Sequence, residues 1–278
     1  MNPVLNHVIQ LQDLALIRDE QKVVAKGKHL ETLDASIKSM TSKLPKDTRT
    51  MYEKLHKRDP IVVSAISDSH CSVCGMKLAI SFVQAVRMHK DILSCPNCAR
   101  MLFCPVSPVR SMAKTPRRTG ARKVGIQRFS SQALMIPRLV AKNKEEAIAE
   151  LGHLLADEGF VNNGDRLVEE ALRREAILST AVNRGLAFPH VRGVEQGGLS
   201  LACGVSAKGI DFGGSVKGKT YIIFFISIPV AASAFYLKLL AGLTETFMDA
   251  DNRKTVRAAK DKATLWKTLT KATRSTIK

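Results

Sequence analysis

The sequence contains no apolar run long enough to cross a membrane. Its longest run, YIIFFISIPVAASAF at 221–235, is shorter than the roughly 20 residues that a membrane-spanning helix needs, and Pro229 interrupts it. The opening segment MNPVLNHVIQLQDLALIRDE has polar residues at helical spacing, unlike the continuous apolar stretch of a secretory signal. We therefore expect a cytoplasmic protein without a membrane domain, in which 221–235 forms a buried strand, a turn and the start of a helix.

Acidic residues are scarce in two segments of a chain with a net charge of +18. Between Pro105 and Ser130 there are seven basic residues and no acid, and between Arg253 and Lys278 there are nine basic residues and one acid, Asp261. These segments carry fifteen of the eighteen net positive charges. Such a concentration favours a polyanionic partner, namely nucleic acid or an acidic protein. A solvated surface that serves only solubility is equally compatible with the composition.

Six cysteines in a reducing compartment are expected to be metal ligands or free thiols rather than disulfides. Four of them form two Cys-x-x-Cys motifs, CSVC at Cys71 and Cys74 and CPNC at Cys95 and Cys98, with 20 residues between the motifs. This spacing is typical of a four-cysteine zinc site, in which two turns together present a tetrahedron of thiolates. Because the protein fills all four positions, the predicted zinc is structural.

The amino-terminal region carries an apolar pattern of helical period. Residues 3–43 follow this pattern, with Gly27 in the middle, and Pro45 ends it. A shorter helix is predicted in KDTRTMYEKLHKR. A straight helix of about 40 residues would reach roughly 60 Å, beyond the span of a small domain. We therefore expect either an antiparallel hairpin or a self-associating coiled coil, the second of which would make the protein a homo-oligomer.

The chain is predicted to be multidomain. The linker is inferred from its content of proline, serine, glycine and positive charge. After it, helical patterns alternate with strand-like runs such as LSLACGVS and TYIIFFISI, which is typical of a layered α/β domain. The predicted segments are a helical coiled-coil region at 1–60, a zinc ribbon at 61–106, a basic flexible linker at 107–130 and an α/β domain at 131–278.

The stretch NRGLAFPHVR at 183–192 places a histidine directly after a proline. Pro189 fixes the backbone and the strand-like GLAF leads into it, so His190 is expected at the end of a strand, where open α/β sheets place their sites. Arginines that can meet an anion lie nearby in the sequence, at Arg173, Arg174 and Arg192. A lone histidine is more often structural than catalytic, so the residues alone leave both roles open.

Four segments of the second half carry a resemblance to a known family. NKEEAIAELGHLL, EEALRREAILST, GLAFPH and YLKLLAGL resemble, in this order, the type 2 enzyme IIA domains of the bacterial phosphotransferase system, the fructose, mannitol and nitrogen-regulatory class. The resemblance covers about Ser131 to Ala272 and implies an α/β sandwich with a mixed central sheet flanked by helices. It implies that His190 accepts a phosphoryl group from the phosphocarrier HPr and passes it to an enzyme IIB or a regulatory target, with Arg174 beside the phosphate. Such transfer needs no nucleotide, and the sequence has no Gly-x-x-x-x-Gly-Lys-Ser/Thr loop.

One position departs from the family pattern. Tyr236 stands where transporting members usually have a second histidine. A phenol can donate a hydrogen bond to a phosphate but does not become a cation at neutral pH. We therefore expect phosphate acceptance with slower onward transfer, and a regulatory rather than purely transport role. Ser179 and Thr180 would add hydroxyls to the site, although they are more often turn residues. The chemistry requires an accessible, neutral His190 nitrogen flanked by a guanidinium.

The first half has a resemblance of its own. The helical stretch together with HCSVCGMKL and LSCPNCARMLF resembles bacterial coiled-coil proteins that end in a four-cysteine zinc ribbon, over about residues 5–104. Members of that group are suspected of binding nucleic acid or partner proteins, which implies an output or docking module here. The alternative function is therefore a zinc-ribbon nucleic-acid-binding or scaffold protein whose enzyme IIA domain no longer accepts phosphate.

Overall fold

The structure of the 278-residue chain is a computed structural model. Its residues fall into two compact units, Met1–Met112 and Ala113–Lys278, and each is described by itself below. Most of the predicted linker lies outside the described residues. The described residues are 2–24, 29–67, 69–88, 90–104, 123–194, 198–213, 218–229 and 233–277.

The first unit opens with three helices, α1 (Pro3–Val24), α2 (His29–Ser42) and α3 (Lys46–His56). Helices α1 and α2 are antiparallel: His7 Nε2 lies 2.9 Å from the carbonyl oxygen of Met40, and Arg18 pairs with Asp34 at 2.9 Å further along both helices. The helical hairpin, one of the two predicted arrangements, is therefore confirmed. The long pattern of 3–43 forms two helices rather than one, and self-association stays a prediction.

The helices share an apolar core with the residues that follow them. Gln12 of α1 also accepts hydrogen bonds from the backbone N–H groups of Val62 and Val63, at 2.7 and 2.9 Å. These contacts cross the boundary predicted at residue 60, so the helices and the cysteine-bearing segment form one folded body. The core residues are Leu5, Val8, Leu11, Leu44, Tyr52, Leu55, Val62, Val63 and Met101.

A small sheet carries the cysteine turns of the first unit. Strand β1 (Val63–Ser67) pairs antiparallel with β2 (His70–Cys71) and parallel with β3 (Met101–Phe103). Helix α4 (Ile80–Arg87) lies between the two Cys-x-x-Cys motifs in the sequence. Its buried residues Val83 and Val86 belong to the same apolar cluster as residues of the sheet. The sheet therefore brings the first cysteine of one motif close to the last cysteine of the other.

The second unit is built on a mixed six-stranded sheet with flanking helices. Its elements are β4 (Met135–Ile136), α5 (Lys144–Asp157), α6 (Gly164–Ile177), β5 (Ala181–Val182), β6 (Leu186–Ala187), β7 (His190–Val194), β8 (Ser200–Ile210), β9 (Thr220–Pro229), α7 (Ser233–Met248), α8 (Ala250–Ala258) and α9 (Lys262–Ala272). The strand order is β4-β8-β9-β6-β5, with β7 also paired to β9. Strand β8 is antiparallel to β9, whereas β6 and β7 are parallel to it. The α/β sandwich with a mixed central sheet flanked by helices is therefore confirmed.

Local chemistry explains these elements. Strand β9 is a nearly continuous apolar run because both of its faces are covered, and Phe224 and Phe225 are fully buried. Asn143 caps α5 and Asn163 caps α6, each accepting a hydrogen bond from a backbone N–H in the first turn. Asp261 caps α9 in the same way. Every helix in the described ranges is too short or too polar to span a bilayer.

Residues 125–130, predicted as part of the flexible linker, are packed into the second unit. Ile126 is fully buried and its N–H donates to Thr273 Oγ1 at 3.1 Å. Gly125 has φ +57°, and a Cβ there would lie 2.9 Å from the same hydroxyl oxygen. The Ser130 hydroxyl donates to the carbonyl oxygen of Leu201 at 2.6 Å. The linker prediction is wrong for these residues, because their partners lie far away in the sequence.

Candidate functional site

His190 is the first residue of β7 and pairs with Ile226 of β9. The residue before it, Pro189, accepts a hydrogen bond from the Ile226 N–H at 2.9 Å, which fixes the backbone where the strand begins. The Gly-Leu-Ala-Phe segment supplies β6, whose register on β9 leads directly to this point. The histidine therefore lies at a strand end on the central sheet.

The imidazole of His190 is held in one orientation by Nδ1. This nitrogen lies 3.0 Å from the carbonyl oxygen of Phe188 and 3.2 Å from the hydroxyl of Tyr236. A carbonyl oxygen only accepts hydrogen bonds, so in the neutral ring Nδ1 carries the proton and Nε2 holds the lone pair. The residue is only 2% exposed, so the expectation of an openly accessible ring is wrong. The strand end lies under the first turn of α7, which covers it.

Tyr236 contacts the His190 ring, and Arg192 in turn contacts the Tyr236 ring. The Tyr236 ring, fully buried in the first turn of α7, lies 5.1 Å from the His190 ring centre at an interplanar angle of 39°. The Arg192 guanidinium lies 4.9 Å from the Tyr236 ring centre, within cation–π range. Arg192 follows His190 by two residues and so shares its face of β7. Arg192 was predicted only as an arginine near His190 in the sequence; its spacing of two residues from His190 in a strand was the signal for this placement.

Arg174 lies in the last turn of α6, where a cation complements the helix dipole. Its Nη1 donates to the carbonyl oxygen of Leu178 at 2.9 Å, which ties the end of the helix to the chain leading into β5. Helix α6 contacts β7, the strand that His190 begins. The role of Arg174 beside a phosphate stays a prediction.

Glu175 is a buried acid that the sequence analysis did not identify. Its carboxylate accepts hydrogen bonds from the Thr180 N–H at 3.0 and 3.1 Å and from the Ser179 hydroxyl at 2.9 Å. Ser179 also lies 3.3 Å from the carbonyl oxygen of Phe212. The Ser179 hydroxyl thus helps to hold the turn between α6 and β5, in keeping with its interpretation as a turn residue.

We expect Glu175→Ala to lower the free energy of unfolding of the second unit by about 1–3 kcal/mol, because it leaves a buried N–H without an acceptor. Urea denaturation followed by the fluorescence of Trp266 measures this, since the only tryptophan of the chain lies in α9 of that unit. Glu169→Ala is the control: its ion pair with Arg173 is exposed, so a change below about 0.5 kcal/mol is expected. Equal effects of the two substitutions would contradict the assigned role.

The four cysteine sulfurs of the first unit form a compact cluster. Cys71, Cys74, Cys95 and Cys98 place their sulfurs within 4.8 Å of one another. Two of these distances, Cys71 to Cys98 and Cys74 to Cys95, are 3.7 Å. Sulfurs bound at about 2.3 Å to a tetrahedral ion lie about 3.8 Å apart, so the cluster has the dimensions of a four-thiolate zinc site.

The two cysteine turns have the same local geometry. Each has a residue of positive φ directly after its second cysteine, Gly75 at 71° and Ala99 at 61°. The N–H of each donates back to the carbonyl of the first cysteine of its motif, at 2.8 and 2.9 Å. Each turn therefore presents both sulfurs on one side, and the two turns meet face to face.

Burial and hydrogen bonding act in opposite directions on these thiols. Burial raises the pKa of Cys95 to about 12. Burial also opposes ionisation of Cys74, but hydrogen bonds from the Met76 backbone and the Asn97 side chain outweigh it and lower the pKa to about 6. Arg100 hydrogen-bonds the Cys98 side chain and pairs with Asp59 at 2.8 Å. A divalent cation would supply the charge that keeps all four sulfurs ionised.

The second unit is thus an α/β domain organised around a histidine at a strand end, and the first unit carries a four-cysteine ribbon. A family model described as "Phosphoenolpyruvate-dependent sugar phosphotransferase system, EIIA 2" matches residues 129–272, and the chain belongs to this family. A model of the C4-type zinc ribbon domain matches residues 70–102. Both families predicted from the sequence motifs are confirmed.

Relatives of the second unit come from transport and from regulation. The fructose-specific EIIA component of the phosphotransferase system from Haloferax volcanii is 31% identical over 122 residues, which cover 44% of this chain and 79% of that protein. A nitrogen regulatory protein from Bradyrhizobium diazoefficiens is 30% identical over 139 residues, 49% of this chain and 88% of that protein. The crystal structure of nitrogen regulatory protein IIA-Ntr from Neisseria meningitidis is 21% identical, with a TM-score of 0.47, covering 51% of this chain and 97% of that one.

Proposed function

We propose that this protein carries a phosphoryl group on His190, accepted from an HPr-like phosphocarrier, in a regulatory rather than purely transport role. Membership of the EIIA family supports the reaction class. The observation that carries the proposal is the hydrogen bond from Nδ1 to the Phe188 carbonyl, because it leaves Nε2 as the unprotonated nitrogen of the neutral ring.

The proposed transfer is a direct displacement at phosphorus. The Nε2 lone pair of His190 attacks, a nitrogen–phosphorus bond forms there, and the bond to the donor histidine breaks with its electron pair returning to the donor ring. Nδ1 keeps its proton and its hydrogen bond to Phe188 throughout, so no proton has to leave the ring. Positioning and charge compensation then set the rate.

Charge compensation is assigned to the arginines near the strand end. The Arg192 guanidinium lies 4.9 Å from the ring centre of Tyr236, which contacts the His190 ring, and a guanidinium can hold phosphate oxygens through paired N–H groups. Arg192 is half-buried, so its displacement on donor docking would open the site. Arg174 is the second candidate. The burial of His190 supports a long-lived phosphohistidine, because exclusion of water slows its hydrolysis.

Tyr236 supports the regulatory role. Its hydroxyl lies 3.2 Å from Nδ1, so it contacts the side of the ring away from the reacting nitrogen. A phenol does not become a cation at neutral pH, so it adds no positive charge beside the ring that leaves, and slow onward transfer would keep the phosphorylated state populated. A regulatory target, or an enzyme IIB domain at a lower rate, would be the recipient.

We expect Tyr236→His to speed transfer of label from the phosphorylated protein to an enzyme IIB domain of the fructose or mannitol class by about tenfold or more, because a protonated imidazole beside Nδ1 adds positive charge next to the ring that departs with the bonding electron pair. Tyr236→Phe should still accept label from phospho-HPr. Tyr221→His on β9, far from His190 along the strand, is the control and should leave the rate unchanged. An unchanged rate in Tyr236→His would contradict the role given to Tyr236.

We also propose that Cys71, Cys74, Cys95 and Cys98 hold one Zn²⁺ with a structural role. The sulfur spacing and the ribbon family model support this assignment. Four protein ligands leave no position for water or substrate, so the ion would hold the two cysteine turns together and perform no catalysis. The helices and ribbon would then serve as a docking or output module for the phosphoacceptor domain.

A further inference from the structure

The last two helices of the second unit carry an unusual excess of exposed positive charge. Among the described residues, none of these cations lies within ion-pair distance of an acid. Between residues 254 and 274 the sequence has one acid, Asp261, which caps α9 and accepts hydrogen bonds from the backbone N–H and the hydroxyl of Thr264, each at 2.8 Å. We call this the α8–α9 basic surface; it consists of Lys254, Arg257, Lys260, Lys262, Lys267, Lys271 and Arg274.

The cations of α9 and its end form a row. Lys267, Lys271 and Arg274 recur at intervals of four and three residues and therefore lie on one side of the helix. Leu265 and Leu269, which are fully buried, occupy the opposite side. The packing of α9 thus directs the positive charges outward together.

A cationic groove lies at α8, the helix that contacts α9. A cavity of about 410 Å³ is lined by Arg138, Ser206, Ala207, Lys254, Arg257 and Ala258. The Arg257 guanidinium lies 3.7 Å from the ring centre of Tyr221. Because stacking uses the face of a guanidinium, its N–H edge stays available for a bidentate contact with phosphate oxygens. Arg138 donates to the carbonyl oxygens of Arg257 and Ala259, at 3.3 and 3.0 Å, and so holds the end of α8 in place.

The groove lies at the opposite end of the sheet from His190. Tyr221 is the second residue of β9, whereas the partner of His190 on that strand is Ile226. Five residues of strand correspond to about 17 Å. A ligand on the α8–α9 basic surface would therefore leave the phosphoacceptor free.

We propose that the α8–α9 basic surface binds the sugar-phosphate backbone of nucleic acid. Seven positive charges against one acid, Asp261, which is engaged in a helix cap, match the regular negative charge of a phosphate backbone. Protein interfaces are anchored by buried aromatic and aliphatic side chains, and no exposed large hydrophobic residue of the described chain lies on α8 or α9. The proposal is independent of phosphoryl transfer, and it assigns a place to the nucleic-acid partner predicted from the charge of the carboxyl-terminal segment.

Anisotropy titrations of the full chain test the proposal, with fluorescein-labelled DNA of about 30 base pairs or a single strand of equal length, at several salt concentrations. The logarithm of the association constant should fall linearly with the logarithm of salt concentration, by about 0.9 per contact for a duplex and about 0.7 for a single strand. The form of DNA that binds more tightly identifies the preferred conformation.

Two charge-neutralised variants localise the binding. Lys267→Gln/Lys271→Gln changes only exposed side chains and should weaken binding at least about tenfold near 0.1 M salt, with a slope lower by about two contacts. Lys142→Gln/Arg166→Gln removes the same charge from exposed positions in or beside α5 and α6 and should bind like the unmodified chain. Absence of binding by the unmodified chain, or equal weakening in both variants, would overturn the proposal. Trp266 fluorescence verifies that both variants are folded.

Discussion

Replacing His190 by alanine is expected to abolish the transfer of radiolabel from phosphorylated HPr to this protein. The substitution removes Nε2, the nitrogen that is unprotonated in the neutral ring because Nδ1 donates to the Phe188 carbonyl, and that attacks phosphorus in the proposed transfer. His190→Gln, which fills more of the buried space, should also remain unlabelled. The measurement is acid-labile, alkali-stable label on the purified full chain after incubation with phospho-HPr.

His153→Ala is the matched control for this experiment. His153 belongs to the same unit, on α5, but its side chain is half exposed and lies 3.0 Å from Asp165 at the surface. This variant should accept label at the rate of the unmodified chain. Label that persists in His190→Ala would refute the phosphoacceptor function of His190. An unmodified chain that accepts no label would refute the function altogether and leave the enzyme IIA domain as a structural element.

Replacing Cys95 by serine is expected to lose the bound metal and unfold the ribbon. Cys95 is buried, and a hydroxyl is a far weaker zinc ligand than a thiolate. Structural zinc contributes about 10–16 kcal/mol in zinc-finger peptides, more than a small domain has in reserve. Zinc content of protein purified without chelator should fall from about one ion per chain to near zero. Because the helices share a core with the ribbon, limited proteolysis should cut the whole first unit.

Cys104→Ser is the control for the metal site. Cys104 packs against the apolar cluster that contains Cys71 and Cys95 but is not one of the four clustered cysteines. Its replacement should leave the zinc content unchanged and the first unit resistant to protease. A zinc content well below one per chain in the unmodified protein, or one unaffected by Cys95→Ser, would contradict the structural-zinc assignment.

Local chemistry made the cysteine cluster and the strand-end histidine predictable from the sequence. Two Cys-x-x-Cys motifs encode a metal site because each turn sets its own two sulfurs, and the fold only has to bring the turns together. The Gly-Leu-Ala-Phe-Pro-His stretch likewise encodes β6 and, after Phe188 and Pro189, the histidine that begins β7. The helical structure of residues 3–43 was also predictable from the apolar period. That period did not decide their division into two antiparallel helices, because the division depends on the packing of one helix against the other.

Contacts between distant residues account for what the sequence analysis missed. Ile126 and Gly125 pack on Thr273. Local composition does not show a contact with so distant a residue, and composition alone therefore placed both residues in the linker. Glu175 gains its role from the turn that it supports, which sequence periodicity does not reveal. The burial of His190 results from the position of Tyr236 over the strand end, and that position is set by the packing of α7.

The identity of the phosphorylated nitrogen tests the account most directly. Long-range proton–nitrogen correlation spectra of the phosphorylated full chain, labelled with nitrogen-15 in histidine, distinguish the two ring nitrogens of His190. We predict phosphate on Nε2 with the proton retained on Nδ1. Phosphate on Nδ1, or on a histidine other than His190, would contradict the hydrogen-bonding arrangement on which the mechanism depends.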